Sequence, residues 1–325
     1  LAGALMVYDA SRARFDVVLL HASFDPTREL WRVVNQRFAE DHERETGRRV
    51  DIRQSHGGSA SQARAIIDGL QADVASLGFQ VDTDMLARHG MVHDDWDRRL
   101  PFGSCPYTST IVFVVRRGNP KQIRDWDDLI RDDVQVITPN PKTSANGKLS
   151  FLAAWGAAVR RGGSDEKARE FVRQMYRRVP VLDTGARGAT TTFAQNGIGD
   201  VQLTWENEAH LEIREADGGL EVVYPTVSIR AELPVTVIDR VVDSRGTREV
   251  AESYLRKLFT PEYQELLAQY DFRPADPNVR ARFAARFPEI DLFPITQIAP
   301  SWAAAQQRFF ALGGEFDQIF QTARP

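Results

Sequence analysis

Short runs of β-branched and leucine residues alternate along this chain with segments whose apolar residues return every three or four positions. That alternation restricts the fold to helices layered on sheet. Asp16 to His21 is the first such run. Asp25-Pro26 then supplies a helix cap and a first-turn proline, with Leu30, Val34 and Phe38 giving the helix an inner face. A strand over 50–54, a helix carrying Ala63, Ile66, Ile67 and Leu70, and a strand over 73–78 repeat the unit. The expectation is an α/β fold with helices covering a largely parallel sheet.

A second unit is expected after Leu100-Pro101. Thr108 to Val115 and Val134 to Thr138 read as strands, and Leu149, Leu152, Ala153, Gly156 and Val159 as the apolar side of a helix. Strands follow over 200–205 and 235–238. A helix over 249–259 must stop or kink at Pro261, which lacks an amide donor.

Composition removes several classes of function. The chain of 325 residues has one cysteine, Cys105, so no internal disulfide forms, and a core of this size needs none. Its 41 Lys and Arg against 45 Asp and Glu are mixed along the whole length, with no basic stripe to track a nucleic acid. Any anion must therefore be attracted by a local arrangement of donors. No run approaches the roughly 20 apolar residues of a membrane span. Leu1 to Tyr8 could be the end of an export signal, but the arginines of Ser11-Arg12-Ala13-Arg14 interrupt the pattern.

Four polar turns stand where open α/β sheets place ligands, at the carboxyl ends of strands: 22–26, 55–59, 140–146 and 184–188. If the two units face each other, these turns surround one small ligand. In Ser55-His56-Gly57-Gly58-Ser59 the glycines allow close backbone approach, and Ser59 with Gln62 fits a capping box at a helix entrance. The unpaired amides of such an entrance suit an anion, although an ordinary capped helix has the same sequence. Asn140 to Gly147 repeats the idea, with Ser144 supplying a hydroxyl. Gly147-Lys148 is not a nucleotide-binding loop, because no upstream glycine stands at the required place and Leu149 replaces the metal-binding hydroxyl. Thr184 to Phe193 opens a further helix with small residues; Ala186 can offer an amide, and Arg187 either touches the ligand or pairs behind it. Trp205 ends a strand with an indole that donates and cannot accept, placed either to pack the core or to cap a ligand.

A shell of NH and OH donors satisfies sulfate, which carries no proton at neutral pH. Hydrogen phosphate brings a donor of its own, and leaving it unpaired costs about 1–3 kcal/mol. Asp25 is the exception, since its carboxylate can cap its own helix or accept a phosphate proton.

Together these turns resemble the periplasmic sulfate-binding protein family, solute receptors of sulfate and thiosulfate ABC importers. The agreement runs from Val17 to Phe320. Its blocks are Ser23-Phe24-Asp25-Pro26-Thr27-Arg28-Glu29-Leu30, Gln54-Ser55-His56-Gly57-Gly58-Ser59, Pro106-Tyr107-Thr108-Ser109-Thr110-Ile111-Val112-Phe113, Ile137-Thr138-Pro139-Asn140-Pro141-Lys142, Leu182-Asp183-Thr184-Gly185-Ala186-Arg187-Gly188 and Trp205-Glu206-Asn207-Glu208. The resemblance implies a type II periplasmic-binding fold, two lobes joined by a hinge. It places lobe 1 at 15–103 with a return over 231–275, lobe 2 at 104–230, and a C-terminal helical extension across the lobes at 276–325. It also implies backbone donation at Asp25, Ser59, Ala145, Asn146 and Ala186, hydroxyl donation at Ser144 with the Ser59 hydroxyl as a second candidate, and indole donation at Trp205. His56 and Arg187 would act from behind or at the edge of the shell. The implied partners are sulfate or thiosulfate and a membrane ABC permease, for a monomeric, periplasmic or otherwise exported receptor without cofactor, metal or nucleic acid. Where many relatives carry two glycines, this chain has Ala145-Asn146, whose Cβ atoms and amide side chain are expected to restrict the turn or change its pocket, which leaves the choice between sulfate and thiosulfate open.

An enzyme is the rival reading, with hydrolase or transferase chemistry on a small anion. The six histidines His21, His42, His56, His89, His93 and His210 form no metal pattern, and neither a serine nucleophile elbow nor a dinucleotide glycine fingerprint occurs. A phosphate receptor is the nearer alternative.

Overall fold

The computed structural model describes residues 15–323, divided between two compact units. Leu1 to Tyr8 and Ser11 to Arg14 lie outside the described residues. The first unit takes the chain up to Thr108 and again from Glu232 to Phe283, and the second takes Ser109–Ala231 and the chain from Ala284 onward.

In the first unit β1 (Val17–Phe24) leads into α1 (Arg28–Thr46), β2 (Val50–Gly57), α2 (Ser59–Ile67), β3 (Val74–Ser76) and α3 (Gln80–Arg88). β1 pairs in parallel with β2 and β3, so Ser23 lies between His56 and Ser76 and the three strands end together. Leu30, Val34 and Phe38 of α1 are buried as their spacing requires. Gly47, at φ 72°, ends the helix in the left-handed conformation that glycine adopts without strain. The expected start of this helix is corrected: Asp25–Thr27 form a separate 3₁₀ turn, and the carboxylate of Asp25 accepts from Arg28 (3.0 Å) instead of capping.

The strand expected over 108–115 breaks into β4 (Tyr107–Ser109) and β5 (Ile111–Arg116), because the hydroxyl of Thr110 donates to the carbonyl of Ile229 between them. The second unit continues with β6 (Val136–Ile137), α4 (Ala145–Arg160), α5 (Asp165–Arg177), α6 (Ala186–Thr190), β7 (Val201–Trp205), α7 (Glu206–Glu215), β8 (Leu220–Val223) and β9 (Val227–Ile229). Its sheet order is β6-β7-β5-β8. Only β6 and β7 are parallel, while β5 runs against both β7 and β8. The expectation of a largely parallel sheet therefore fails in this unit, where β5 enters on a short connection from β4 and not on a helical crossover.

β10 (Ala231–Leu233) straddles the return to the first unit, and β11 (Val235–Val237) adds to the edge of β3 antiparallel. α8 (Asp239–Arg245) and α9 (Arg248–Lys257) follow, and Pro261 opens α10 (Pro261–Gln269) at its first position, where a missing amide costs nothing. β12 (Arg273–Pro274) pairs with β4. Beyond it the chain divides, residues to Phe283 belonging to the first unit and β13 (Asp291–Phe293) and α11 (Glu315–Ala323) to the second.

That last segment completes the second core. Phe151 of α4 meets Phe309, Phe310 and Phe316 at ring-centre distances of 5.4–6.1 Å, and Arg169 of α5 grips Glu315 through two hydrogen bonds. α4 is buried almost all round from Leu149 to Ala157, so more of it is covered than the single apolar side expected of Leu149, Leu152, Ala153, Gly156 and Val159. Among the described residues no helix is long and apolar enough to cross a membrane.

Gly156 is where α4 receives the ring of Phe293, since a Cβ there would stand 2.0 Å from the ring's Cζ. Gly156→Ala is expected to destabilise the protein by about 1–3 kcal/mol through overpacking. Phe293→Leu in the same chain should restore part of that loss. Urea denaturation of the single and double variants measures both, and an unchanged midpoint for Gly156→Ala refutes the packing argument.

Candidate functional site

In the first unit the carboxyl ends of β1, β2 and β3 bring together the 22–26 and 55–59 turns. Ser59 is the first residue of α2 after an extended Gly58, so the capping box expected of Ser59 and Gln62 does not form. Gln62 instead accepts from the Ser55 hydroxyl (3.2 Å), and the Ser59 hydroxyl donates to Asp82 while accepting from the Gly78 amide (2.9 Å). In this arrangement the proton of Ser59 Oγ is spent on Asp82. What Ser59 can offer a ligand is its backbone amide, which has no partner within the helix.

His56 is also engaged on both sides. Its Nδ1 meets the Ser23 hydroxyl and its Nε2 the Gln54 carbonyl oxygen. Gln54 accepts from Nε2–H, so Nδ1 accepts from Ser23 in the neutral ring. Burial, followed by repulsion from the Arg28 guanidinium, lowers its pKa below that of an ordinary histidine and keeps it neutral at pH 7. His56 thus braces the end of β1 and brings no charge to it.

In the second unit three loops are tied to one another. The Asn140 amide donates to the Asp183 carbonyl (2.7 Å), and the Thr143 hydroxyl to the Thr184 carbonyl (2.7 Å), which joins the 140–146 and 184–188 turns. The Asn146 side chain donates to the Leu203 carbonyl (3.3 Å), two residues before Trp205. Asn140 to Asn146, Thr184 to Gly188 and the end of β7 are therefore one assembly. Trp205, 1% exposed, is the residue that closes β7 and opens α7.

Ser144 caps α4, accepting from the Gly147 amide (3.4 Å), which leaves its own proton for another acceptor. Ala145 and Asn146 occupy the first turn of α4 with helical geometry, and the Asn146 side chain is turned to the Leu203 carbonyl. The position that cannot carry a side chain is Gly147, whose Cβ would stand 2.3 Å from the Pro139 carbonyl oxygen. At the start of this 16-residue helix the backbone presents unpaired amides and the positive end of the dipole. α6 opens more briefly, with Ala186 partly buried and Arg187 exposed.

Lys142, three residues before Ala145, is committed elsewhere. Lys142 donates to the carbonyls of Phe310 and Ala311 (3.0 Å each) and pairs with Asp317 (2.8 Å), which fastens the 140–146 loop to the C-terminal segment. Asp82 and Gly78 are the participants that sequence reading missed, and Ser23 stood in the 22–26 turn without a role of its own. The glycine at the end of a strand in Ser76-Leu77-Gly78-Phe79 was the available signal. Among the described residues no group of three His, Cys, Asp or Glu side chains could hold a metal ion.

Residues 31–273 match the family described as bacterial extracellular solute-binding protein. The chain belongs to that family. Its relatives include the sulfate-binding protein of Escherichia coli (strain K12), 50% identical over 306 residues that make up 94% of this chain and 93% of that protein. The thiosulfate-binding protein of Pseudomonas aeruginosa is 49% identical over 304 residues, 93% of this chain and 92% of that protein. Among solved structures, the sulfate-binding protein SubI from Mycobacterium tuberculosis H37Rv superposes with a TM-score of 0.79 at 33% identity, covering 90% of this chain and 99% of that one. The α/β periplasmic solute-binding fold follows from this similarity. Each relative is named for an anion that it binds, not for a reaction.

Gly147→Ala is expected to push the 140–146 loop off α4, lowering stability by about 1–3 kcal/mol and disordering the Asn140–Asp183 link. Amide exchange at Asn140 reads the second effect directly. Full protection of that amide in the variant contradicts the geometry.

Proposed function

We propose that this chain captures sulfate, with thiosulfate as a second anion, outside the cytoplasm and delivers it unchanged to a membrane ABC permease. The observation that carries the reading is the linked assembly of loops in the second unit, whose members are Ser144, the first amides of α4, Ala186 and Trp205. The donors assigned to the anion are the amides of Asp25, Ser59, Ala145, Asn146 and Ala186, the Ser144 hydroxyl and the Trp205 indole. This set contains NH and OH groups and no obligatory acceptor, which matches an oxyanion without a proton. The names of the E. coli, P. aeruginosa and M. tuberculosis relatives support the same ligand class.

Recognition by oriented dipoles needs no cation in contact. Lys142 and Arg28 are already paired with Asp317 and Asp25, so neutralisation falls to backbone amides and to the helix dipole of α4. Arg187 and His56 are proposed as neighbours of the shell. Membership in an extracellular family supports placement in the periplasm or an equivalent exported compartment.

Calorimetry with sulfate, thiosulfate and phosphate tests the proposal. Saturable one-site binding of sulfate, with phosphate weaker, is expected; a preference for phosphate overturns the ligand, and silence with all three overturns the receptor. Trp205→Phe keeps much of the ring and loses the donor, and should weaken sulfate about tenfold to a hundredfold, the worth of one hydrogen bond to a charged group. Unchanged affinity removes Trp205 from the shell.

A further inference from the structure

Behind its loops the second unit buries a carboxylate for which the proposed anion contacts have no use. Glu212 lies about two turns into α7 and is 5% exposed. Its Oε1 accepts from the Thr190 hydroxyl of α6 (2.6 Å) and from the Gln202 amide of β7 (3.1 Å), while Gln202 also donates to Thr190 (3.2 Å). Acid, amide and hydroxyl form a closed triangle that joins three elements. Each of those elements leads to the proposed shell: α6 begins at Ala186, β7 ends at Trp205, and α7 begins immediately after it.

The triangle is incomplete in an informative way. Oε2 of Glu212 has no hydrogen-bond partner although it is buried. A buried carboxylate oxygen without a donor is costly when charged, and a protonated carboxyl avoids most of that cost. Gln202 on β7 and Thr190 on α6 face it as neutral groups. Glu215 on its own helix adds a second negative charge, and Arg116 at the end of β5 is taken up by the Phe193 ring and the carbonyls of Phe193, Ile198 and Gly199. The segment that Glu212 holds is itself irregular, since α6 runs into a π-helical turn over Thr191–Gln195. Such turns mark places where a helix can change its winding.

We propose that Glu212 is a positioning residue for anion capture: while it holds its proton it keeps residues 186–195 seated on β7 and α7, and losing the proton unseats them. This rests on the sulfate reading given above. Burial, against the pull of Thr190 and Gln202, raises the carboxyl to about 7 from an ordinary value near 4.5. A segment that swings away returns Glu212 to water and to that ordinary value. The seated state therefore holds its proton more tightly, its advantage is complete below the ordinary value, and it is lost as pH rises toward 7. Sulfate carries no titrating proton in this window, so any slope belongs to the protein.

Hydrogen exchange of the anion-free protein, expressed as protection factors at residues 186–195, measures the seating alone. Protection is expected to fall from pH 5 to pH 7, by at most about tenfold per pH unit for one proton, and then to level off. Glu212→Gln, which presents an uncharged amide in the same shape, should remove the slope. Sulfate titrations over the same range should show affinity falling with pH in the native chain and a smaller fall in Glu212→Gln. A protection slope that survives in Glu212→Gln, an affinity slope equal in the two chains, or native protection that does not change with pH, overturns the proposal. Failure of sulfate to bind at every pH removes the sulfate reading, while the exchange measurement still reports on Glu212.

Discussion

One main-chain hydrogen bond, from the amide of Asn140 to the carbonyl of Asp183, holds together the part of the second unit on which the rest depends. Neither residue belongs to a strand or a helix, so no sheet ladder enforces their meeting. The loop reaches that geometry because Gly147 lets it lie directly on the first turn of α4 and because Lys142 is drawn back to the C-terminal segment. A helix entrance, a short helix start and a strand end are thereby held in register. The energy behind this lies in burial of the aromatic cluster around Phe151, not in the loop itself.

The same economy governs charge. Arg28 and Lys142, close in sequence to proposed anion donors, are paired with Asp25 and Asp317, and His56 is held neutral by burial and by Arg28. A rigid cation in direct contact would attract many anions alike. Fixed amide and hydroxyl donors discriminate by geometry and by the ligand's own proton, because the amides and the indole cannot accept from a donor on the ligand and the Ser144 oxygen already accepts from Gly147. The hydroxyl of Ser59, turned toward Asp82, is consistent with recognition that leans on the backbone.

Much of this was legible in the amino-acid sequence. The spacing of Leu30, Val34 and Phe38 gave α1, the polar run from Asn140 to Gly147 gave the entrance to α4, and the ordered motif blocks gave the family. Boundaries set by tertiary partners were not legible. Thr110 breaks a promising strand because Ile229, far along the chain, supplies an acceptor. Ser59 looked like a cap with Gln62, yet its partner is Asp82, brought near by packing of a later helix. The Glu212, Gln202 and Thr190 triangle leaves no periodic trace at all, since each residue comes from a different element. Local rules describe where a helix begins; they are silent on which distant side chain faces it.

The chain's repeated passage between units bears on how it comes to fold. During synthesis, the first unit lacks its antiparallel edge strand β11 and the helices after it until residues well beyond 230 have left the ribosome. The second lacks the aromatic lid supplied by Phe309, Phe310 and Phe316 until almost the whole chain exists. Neither core can close early. Such interleaving lengthens the interval in which the nascent polypeptide remains open.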